Sequence, residues 1–164
     1  PSPSQADRPA GKKRVPWTTS KVKGSPEPPP PYKVELAFPR LKFFEPLEMC
    51  AAPGTSRLFV ATRPGKAFSF VPDPKAEKPD LLLDLGEKRV IYGLTFHPKF
   101  DSNGHFYVTY VPDPSKETPT GTRVSRFTAK GDPPAADLKS EKVILEWPNG
   151  GHNGGCLRFG PDGM

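Results

Sequence analysis

The sequence contains little cysteine and no long apolar run, and both shortages exclude whole classes of protein. Only two cysteines, Cys50 and Cys156, occur among its 164 residues. They form neither a Cys-x-x-Cys nor a Cys-x-x-Cys-His motif. The sequence therefore predicts no cysteine-ligated metal site and no attachment of a c-type haem. Whether they are paired stays open, because a sequence does not give the distance between two thiols. No stretch is long and apolar enough to predict a transmembrane helix, and there is no recognisable signal peptide.

Acidic residues are scarce only at the start of the chain. The net charge is +6, and residues 1–24 contain six basic side chains against the single acid Asp7. The remainder is therefore close to neutral, which argues against a broad basic face and a nucleic-acid partner. Lys12-Lys13-Arg14 could form a short basic patch, but a solvated tail is the favoured interpretation.

Proline is abundant, with 24 residues, and there are 15 glycines. This composition disfavours long helices and predicts an all-β fold. Residues 1–31 contain nine of the prolines and are predicted to be an extended leader or linker with polyproline II character. A ligand for an SH3-like partner is the alternative. The folded domain is predicted over residues 32–164.

A pattern of strand, proline, turn and strand occurs three times in that domain, with the closing prolines at Pro53, Pro98 and Pro161. Further short strands between them bring the number to about four per repeat, as in a blade of a β-propeller. Residues 32–164 would then supply two blades and the first strand of a third, Gly155–Pro161. We therefore expect a piece of a longer ring whose outer blade faces are apolar.

The most distinctive loop is Asn149–Gly155, in which four glycines surround His152. Glycine allows a backbone to approach a ligand closely, and histidine is suited to accept a proton near neutral pH. His152 is therefore a candidate general base. On composition alone, a hydrogen-bonded loop residue with no chemical role is the stronger interpretation.

Several linked motifs resemble the N-terminal part of the glucose/sorbosone dehydrogenase family, the six-bladed propellers similar to soluble quinoprotein glucose dehydrogenase. The resemblance covers about residues 38–164, and with its leader the chain looks most like the planctomycete-type members, some of which carry a cytochrome c domain. The motifs, in chain order, are Pro53–Val60, Phe96-His97-Pro98, Gly104–Val108, Arg123–Phe127, His152–Gly155 and Phe159–Gly163.

The resemblance implies a dehydrogenase that uses pyrroloquinoline quinone (PQQ) held by Ca²⁺. His152 would take the proton from the anomeric hydroxyl of an aldose while hydride passes to the quinone. The residues that hold the cofactor are expected in later blades, and no metal ligand is assigned in this stretch. A cytochrome c is the implied candidate acceptor of electrons, and the location would be periplasmic or secreted. The alternative function is a non-catalytic propeller that binds protein or carbohydrate.

One position departs from the family pattern. Members often carry Gln or Glu as a sugar contact shortly before the Phe-His-Pro motif, whereas this chain has Lys88-Arg89-Val90-Ile91-Tyr92-Gly93-Leu94. Tyr92 could stack on a sugar, although a packed aromatic is favoured.

The other polar candidates receive structural interpretations. His97 is expected to be structural, and His105 receives no role. Asp101 and Asp162 are expected to form Asx-type turns, with calcium binding as the alternative.

Overall fold

The computed structural model describes residues 33–112, 121–148 and 154–163, and a compact unit begins at Leu36. The leader predicted over residues 1–31 lies outside the described part. Within the described ranges, no helix has the length and apolarity that crossing a membrane requires.

The compact unit is built from two four-stranded antiparallel sheets, each a simple up-and-down meander in chain order. The first sheet comprises β1 (Pro46–Ala51), β2 (Leu58–Thr62), β3 (Lys66–Phe70) and β4 (Asp80–Asp84). The second comprises β5 (Val90–Phe96), β6 (His105–Val111), β7 (Thr122–Lys130) and β8 (Ala135–Trp147), with the one-turn helix α1 (Phe100–Asn103) between β5 and β6. The prediction of an all-β fold with two propeller blades of four strands is confirmed.

Tight turns join the strands where the sequence supplies glycine. Gly65 adopts a φ of +68° in the β2–β3 hairpin, a conformation that costs glycine little. Gly104 has a φ of +64° and closes α1, where its N–H donates to the Phe100 carbonyl at 2.8 Å. This left-handed cap ends the helix after one turn and directs the chain into β6.

Aromatic side chains form a core that is continuous between the two blades. Phe59 of β2 contacts Phe96 of β5, with ring centroids 4.3 Å apart, and Phe96 contacts Phe100 at 4.8 Å. The stack continues through Phe106 to Phe127 of β7. Both halves of the unit therefore depend on the same buried rings for their stability.

Both blades expose apolar side chains. Leu47 and Met49 of β1 are exposed on the first blade, and Val143, Ile144 and Leu145 are exposed on β8 of the second. Such surface is normally covered by neighbouring blades in a propeller ring.

The segment after the histidine loop differs from its prediction. A strand was expected from Gly155 to Pro161, but residues 154–160 are not hydrogen-bonded into a sheet with any described residue. A strand exists only where a ladder partner satisfies its backbone groups, and the two described sheets do not supply one. The exposure of residues 154–160 still alternates along the chain, as in a strand.

Candidate functional site

His152 lies outside the described residues, so its candidate role is approached through the segment that follows it. That segment begins with Gly154 and Gly155, whose φ angles are +61° and +126°. L side chains rarely adopt such angles. The glycine pair predicted from the sequence is therefore needed for the path of the chain just after the candidate base.

Gly155 is held by three residues of the second blade, Tyr92, Gly93 and Thr109, which we call the Gly155 seat. The Thr109 hydroxyl donates to the Gly155 carbonyl at 3.1 Å. A Cβ built on Gly155 would lie 2.8 Å from the Tyr92 Cβ and 3.0 Å from the Thr109 Cγ2. Only glycine allows the backbone to approach β5 and β6 this closely.

Tyr92 is half-buried at an irregularity in the β5–β6 ladder. Its Cβ helps to confine Gly155, so at least part of the residue has a packing role. This agrees with the interpretation favoured from the sequence, whereas stacking of the ring on a sugar stays a prediction.

A second contact joins this segment to the first blade. The Arg158 guanidinium donates to the Glu48 Oε1 at 2.9 Å. Glu48 is largely buried, with 15% of its side chain exposed, whereas 60% of the Arg158 side chain is exposed. The bond to Glu48 and the carboxylate charge raise the pKa of Arg158.

Two thiols lie near this ion pair, and both are free in the structure. The half-buried Cys50 directs its sulfur to the Leu94 carbonyl at 3.7 Å, whereas Cys156 is exposed. Burial, followed by the charge of Glu48, raises the pKa of Cys50 to about 12. Cys50 is therefore a protonated, half-buried thiol near neutral pH.

The structure supports a structural role for His97. Its Nδ1 accepts the Lys99 backbone N–H at 2.9 Å, and Asn103 Nδ2 lies 3.0 Å from the same atom. The imidazole therefore fixes the turn that leads from β5 into α1. Its ring also lies against Phe159, with centroids 5.6 Å apart.

His105 begins β6 and pairs with Thr128. Burial, then the positive charges of Arg126 and His97, lower the pKa of His105. His105 receives no functional role.

The interpretation of Asp101 as an Asx-turn residue is wrong. Asp101 lies inside α1, beside Gly54. The Asx-type bond in this connection belongs to Asn103, whose Oδ1 accepts the His105 backbone N–H at 2.8 Å. The other candidate, Asp162, lies in a turn where the Gly163 N–H donates to the Gly160 carbonyl at 3.0 Å.

Within residues 33–112, 121–148 and 154–163, no cluster of three or more His, Cys, Asp or Glu side chains could hold a metal ion. The residues that hold the cofactor are expected in later blades, as the resemblance implies.

Comparison with known proteins places the chain in a family. The Glucose / Sorbosone dehydrogenase family model matches residues 43–164, which include the two blades, His152 and the segment after it. The chain belongs to the glucose/sorbosone dehydrogenase family, a family of β-propellers.

Individual relatives extend beyond this chain. The human and mouse Hedgehog-interacting proteins are each 30% identical to it over 129 residues, a match that covers 68% of this chain and 18% of each relative. A crystal structure from Thermus thermophilus, provisionally described as an oxidoreductase (glucose dehydrogenase), is 26% identical with a TM-score of 0.49. That match covers 71% of this chain and 35% of the solved one. The chain thus spans about a fifth of the length of the curated relatives.

Sequence reasoning did not find Thr109 or Gly93. A glycine inside the strand pattern Val90–Phe96 was the available signal, since such a glycine often marks a bulge or a close backbone approach. Thr109 gave no signal, because threonine is common in strands and only the fold brings its hydroxyl to Gly155.

Proposed function

We propose that this chain is the part of a sugar- or alcohol-oxidising dehydrogenase that carries its general base, His152. The observation that supports this most is the family match over residues 43–164, which includes the His152 loop. Composition alone favoured a histidine with no chemical role. Membership of a dehydrogenase family supports a catalytic role for this glycine-flanked histidine instead.

The proposed chemistry uses His152 as a neutral imidazole. Its unprotonated nitrogen would accept the proton of a substrate hydroxyl group while hydride leaves the carbon that bears this hydroxyl. An imidazole with a pKa near neutral is a competent base at physiological pH. PQQ, with Ca²⁺, would supply the hydride acceptor when bound. The contribution of the described residues is to anchor the backbone immediately after the base.

The test uses the full-length protein. PQQ and Ca²⁺ are titrated into the wild type and His152→Ala, and dye reduction is followed with a panel of aldoses and alcohols. We expect turnover in the wild type and loss of at least ~100-fold in the variant. His105→Gln is the matched control, since His105 has no assigned role, and it should retain turnover.

Each outcome decides the proposal. If turnover survives in His152→Ala, His152 is not the general base, although the protein is still a dehydrogenase. A wild type that binds no PQQ would overturn the quinoprotein proposal as a whole.

A second candidate function is recognition without redox chemistry. It is favoured by the 30% identity to the Hedgehog-interacting proteins, whose name describes binding to another protein. Surface plasmon resonance of the full-length protein against an immobilised hedgehog protein tests it directly. Saturable binding in a protein that takes up no PQQ would favour this candidate over the dehydrogenase.

A periplasmic or secreted location is proposed with either function. It is supported only by the resemblance to exported family members. Fractionation of the native cells, followed by N-terminal sequencing of the mature protein, would show whether a leader is removed.

A further inference from the structure

The face of the second blade opposite the Phe106–Phe127 stack carries a row of hydrogen-bond donors. Tyr107 pairs with Arg126 in the β6–β7 ladder, and Arg126 pairs with Lys142 in the β7–β8 ladder. Residues paired in this way present their side chains on the same face of a sheet. The phenol, the guanidinium and the ammonium therefore lie side by side, and we call Tyr107, Arg126 and Lys142 the Arg126 row.

Two of these three side chains carry the same charge. Like charges directly opposite each other in a sheet repel and destabilise the pairing of their strands. Within the described part of the chain, no carboxylate forms an ion pair with Arg126 or Lys142. Asp137, which is also on β8, instead accepts the Lys139 backbone N–H at 2.9 Å. A negative charge at this row would therefore remove a repulsion.

The Arg126 guanidinium is also incompletely satisfied as a donor. Its Nε is buried and has no hydrogen-bond acceptor among the described residues. A buried donor without an acceptor is costly, and such a group calls for a specific explanation such as a bound water or ion.

Arg123, on the same strand, shows the usual arrangement. Its Nη2 lies 2.5 Å from Glu146 Oε1, and its Nη1 lies 3.9 Å from Glu141 Oε1. Arg123 pairs with Tyr110, which places it on the same face as Phe106 and opposite the Arg126 row. The blade thus supplies carboxylates to the arginine of one face, whereas the described residues supply none to the arginine of the other.

Apolar surface borders this row. The Phe159 ring packs edge-on against Tyr107, with centroids 5.4 Å apart. Reduced contact with water strengthens the attraction between opposite charges. An anion bound beside Phe159 would therefore be held more firmly than one at a fully solvated lysine.

We propose that the Arg126 row binds a phosphate-type dianion, with the guanidinium as its principal contact. A guanidinium presents parallel N–H donors that match two oxygens of one phosphate, and an ammonium and a phenol hydroxyl each donate to a further oxygen. Two negative charges would balance Arg126 and Lys142. Free phosphate and a phosphate monoester share this chemistry, so both serve as probes. The proposal does not depend on the chemistry of His152.

Isothermal titration calorimetry of the full-length protein with inorganic phosphate, at about pH 8 and low ionic strength, tests the site. We expect one phosphate per chain in the wild type and at least ~10-fold weaker binding in Arg126→Gln, because the lost bonds involve charged groups. Arg126→Lys should be intermediate, since it keeps the charge and loses the paired donors. Arg40→Gln, which breaks an exposed ion pair of the first blade, is the matched control and should bind like the wild type.

Phenyl phosphate separates the two sources of the dianion. Affinity equal to that of inorganic phosphate would assign the site to phosphate esters. Binding of inorganic phosphate alone would assign it to the free ion.

His105 provides a readout close to the row. Burial, then the charges of Arg126 and His97, lower the pKa of His105, so the Arg126 charge acts on this imidazole. A bound dianion should raise the pKa of His105 in the wild type and leave it unchanged in Arg126→Gln. Phosphate should likewise raise the Tm of the wild type and not that of the variant.

Phosphate that does not bind the wild type, or that binds Arg126→Gln equally well, would overturn the proposal. Thermal unfolding without phosphate is the remaining check. Because Arg126→Gln removes a repulsion, it should be at least as stable as the wild type in phosphate-free buffer. A clearly lower Tm would show that a carboxylate elsewhere in the protein already pairs with Arg126, which would also overturn the proposal.

Discussion

The ring of Phe59, in the first blade, lies 4.3 Å from the ring of Phe96, in the second, measured between centroids. Both rings are buried, with 0% and 5% exposure respectively. The two blades therefore share one core and are not expected to unfold independently. Phe96 also belongs to the Phe-His-Pro motif, which gives that motif a packing function besides its turn.

Removing the Phe59 ring should destabilise both blades together. Phe59→Ala is expected to lower the free energy of unfolding by about 3–5 kcal/mol through lost burial and a residual cavity. Urea denaturation measures this, and fluorescence and circular dichroism should change in one transition. The control Phe44→Ala removes a ring that is 75% exposed and should change stability by less than about 0.5 kcal/mol. Two separate transitions in the wild type would contradict the shared core.

Breaking the Glu48–Arg158 ion pair should loosen the segment after the histidine loop. In Glu48→Gln we expect faster hydrogen exchange at residues 154–159, because the ion pair at 2.9 Å becomes a weaker hydrogen bond from the charged guanidinium to a neutral amide. The effect should shrink in high salt, since Arg158 is exposed. Glu77→Gln, which breaks the exposed pair with Arg40, is the matched control and should leave that segment unchanged. Equal exchange in both variants would show that the contact does not hold the segment.

The two thiols should differ sharply in reactivity. Cys156 is exposed, whereas burial raises the pKa of Cys50 to about 12. Because the thiolate is the nucleophile, Cys50 should react with a disulfide reagent at about pH 8 at least ~100-fold more slowly than Cys156. The variants Cys50→Ser and Cys156→Ser assign each kinetic phase. Two equal fast phases in the wild type would contradict the half-buried, protonated state of Cys50.

His105 should titrate below the usual histidine range. Burial, then the charges of Arg126 and His97, lower the pKa of His105 from 6.5. Since the folded-state pKa lies below the unfolded one, the stabilising contribution is present above about pH 6.5 and is lost as the pH falls through the folded pKa. Proton NMR of the imidazole as a function of pH measures the pKa of His105 in the folded protein.

Substitution of Arg126 tests the cause of that shift. Arg126→Gln should move the His105 pKa upward by removing one positive charge. Arg40→Gln serves as the control, because Arg40 pairs with Glu77 of the first blade. A His105 pKa that is unchanged in Arg126→Gln would exclude the Arg126 charge as a cause.

Much of the architecture could be predicted from local chemistry. The closing prolines and the turn residues after them located the strand–turn–strand repeats, because turn signals act over short distances. The structural interpretation of His97 was also accessible, because a histidine before proline at a strand end closes a turn. Asp101 was misinterpreted because α1 and its Gly104 cap use the same residue types as an Asx turn.

The site was predictable only in part. The flanking glycines indicated His152 as a candidate base, and its role stays a prediction. The strand expected at Gly155–Pro161 has no hydrogen-bonded partner strand within the described residues. The Gly155 seat could not be predicted, because Thr109 and Gly155 are 46 residues apart in the chain. No local preference acts over that distance.

The sequence by itself determined the all-β class, the four-strand repeat, the near-neutral domain and the candidate base, because composition and periodicity act within a few residues. Only the tertiary structure decided which backbone meets which: Phe59 against Phe96, Arg158 on Glu48, and Gly155 against Gly93 beneath the Thr109 hydroxyl. Those contacts depend on how two twisted sheets pack, and small shifts in that packing would separate the partners.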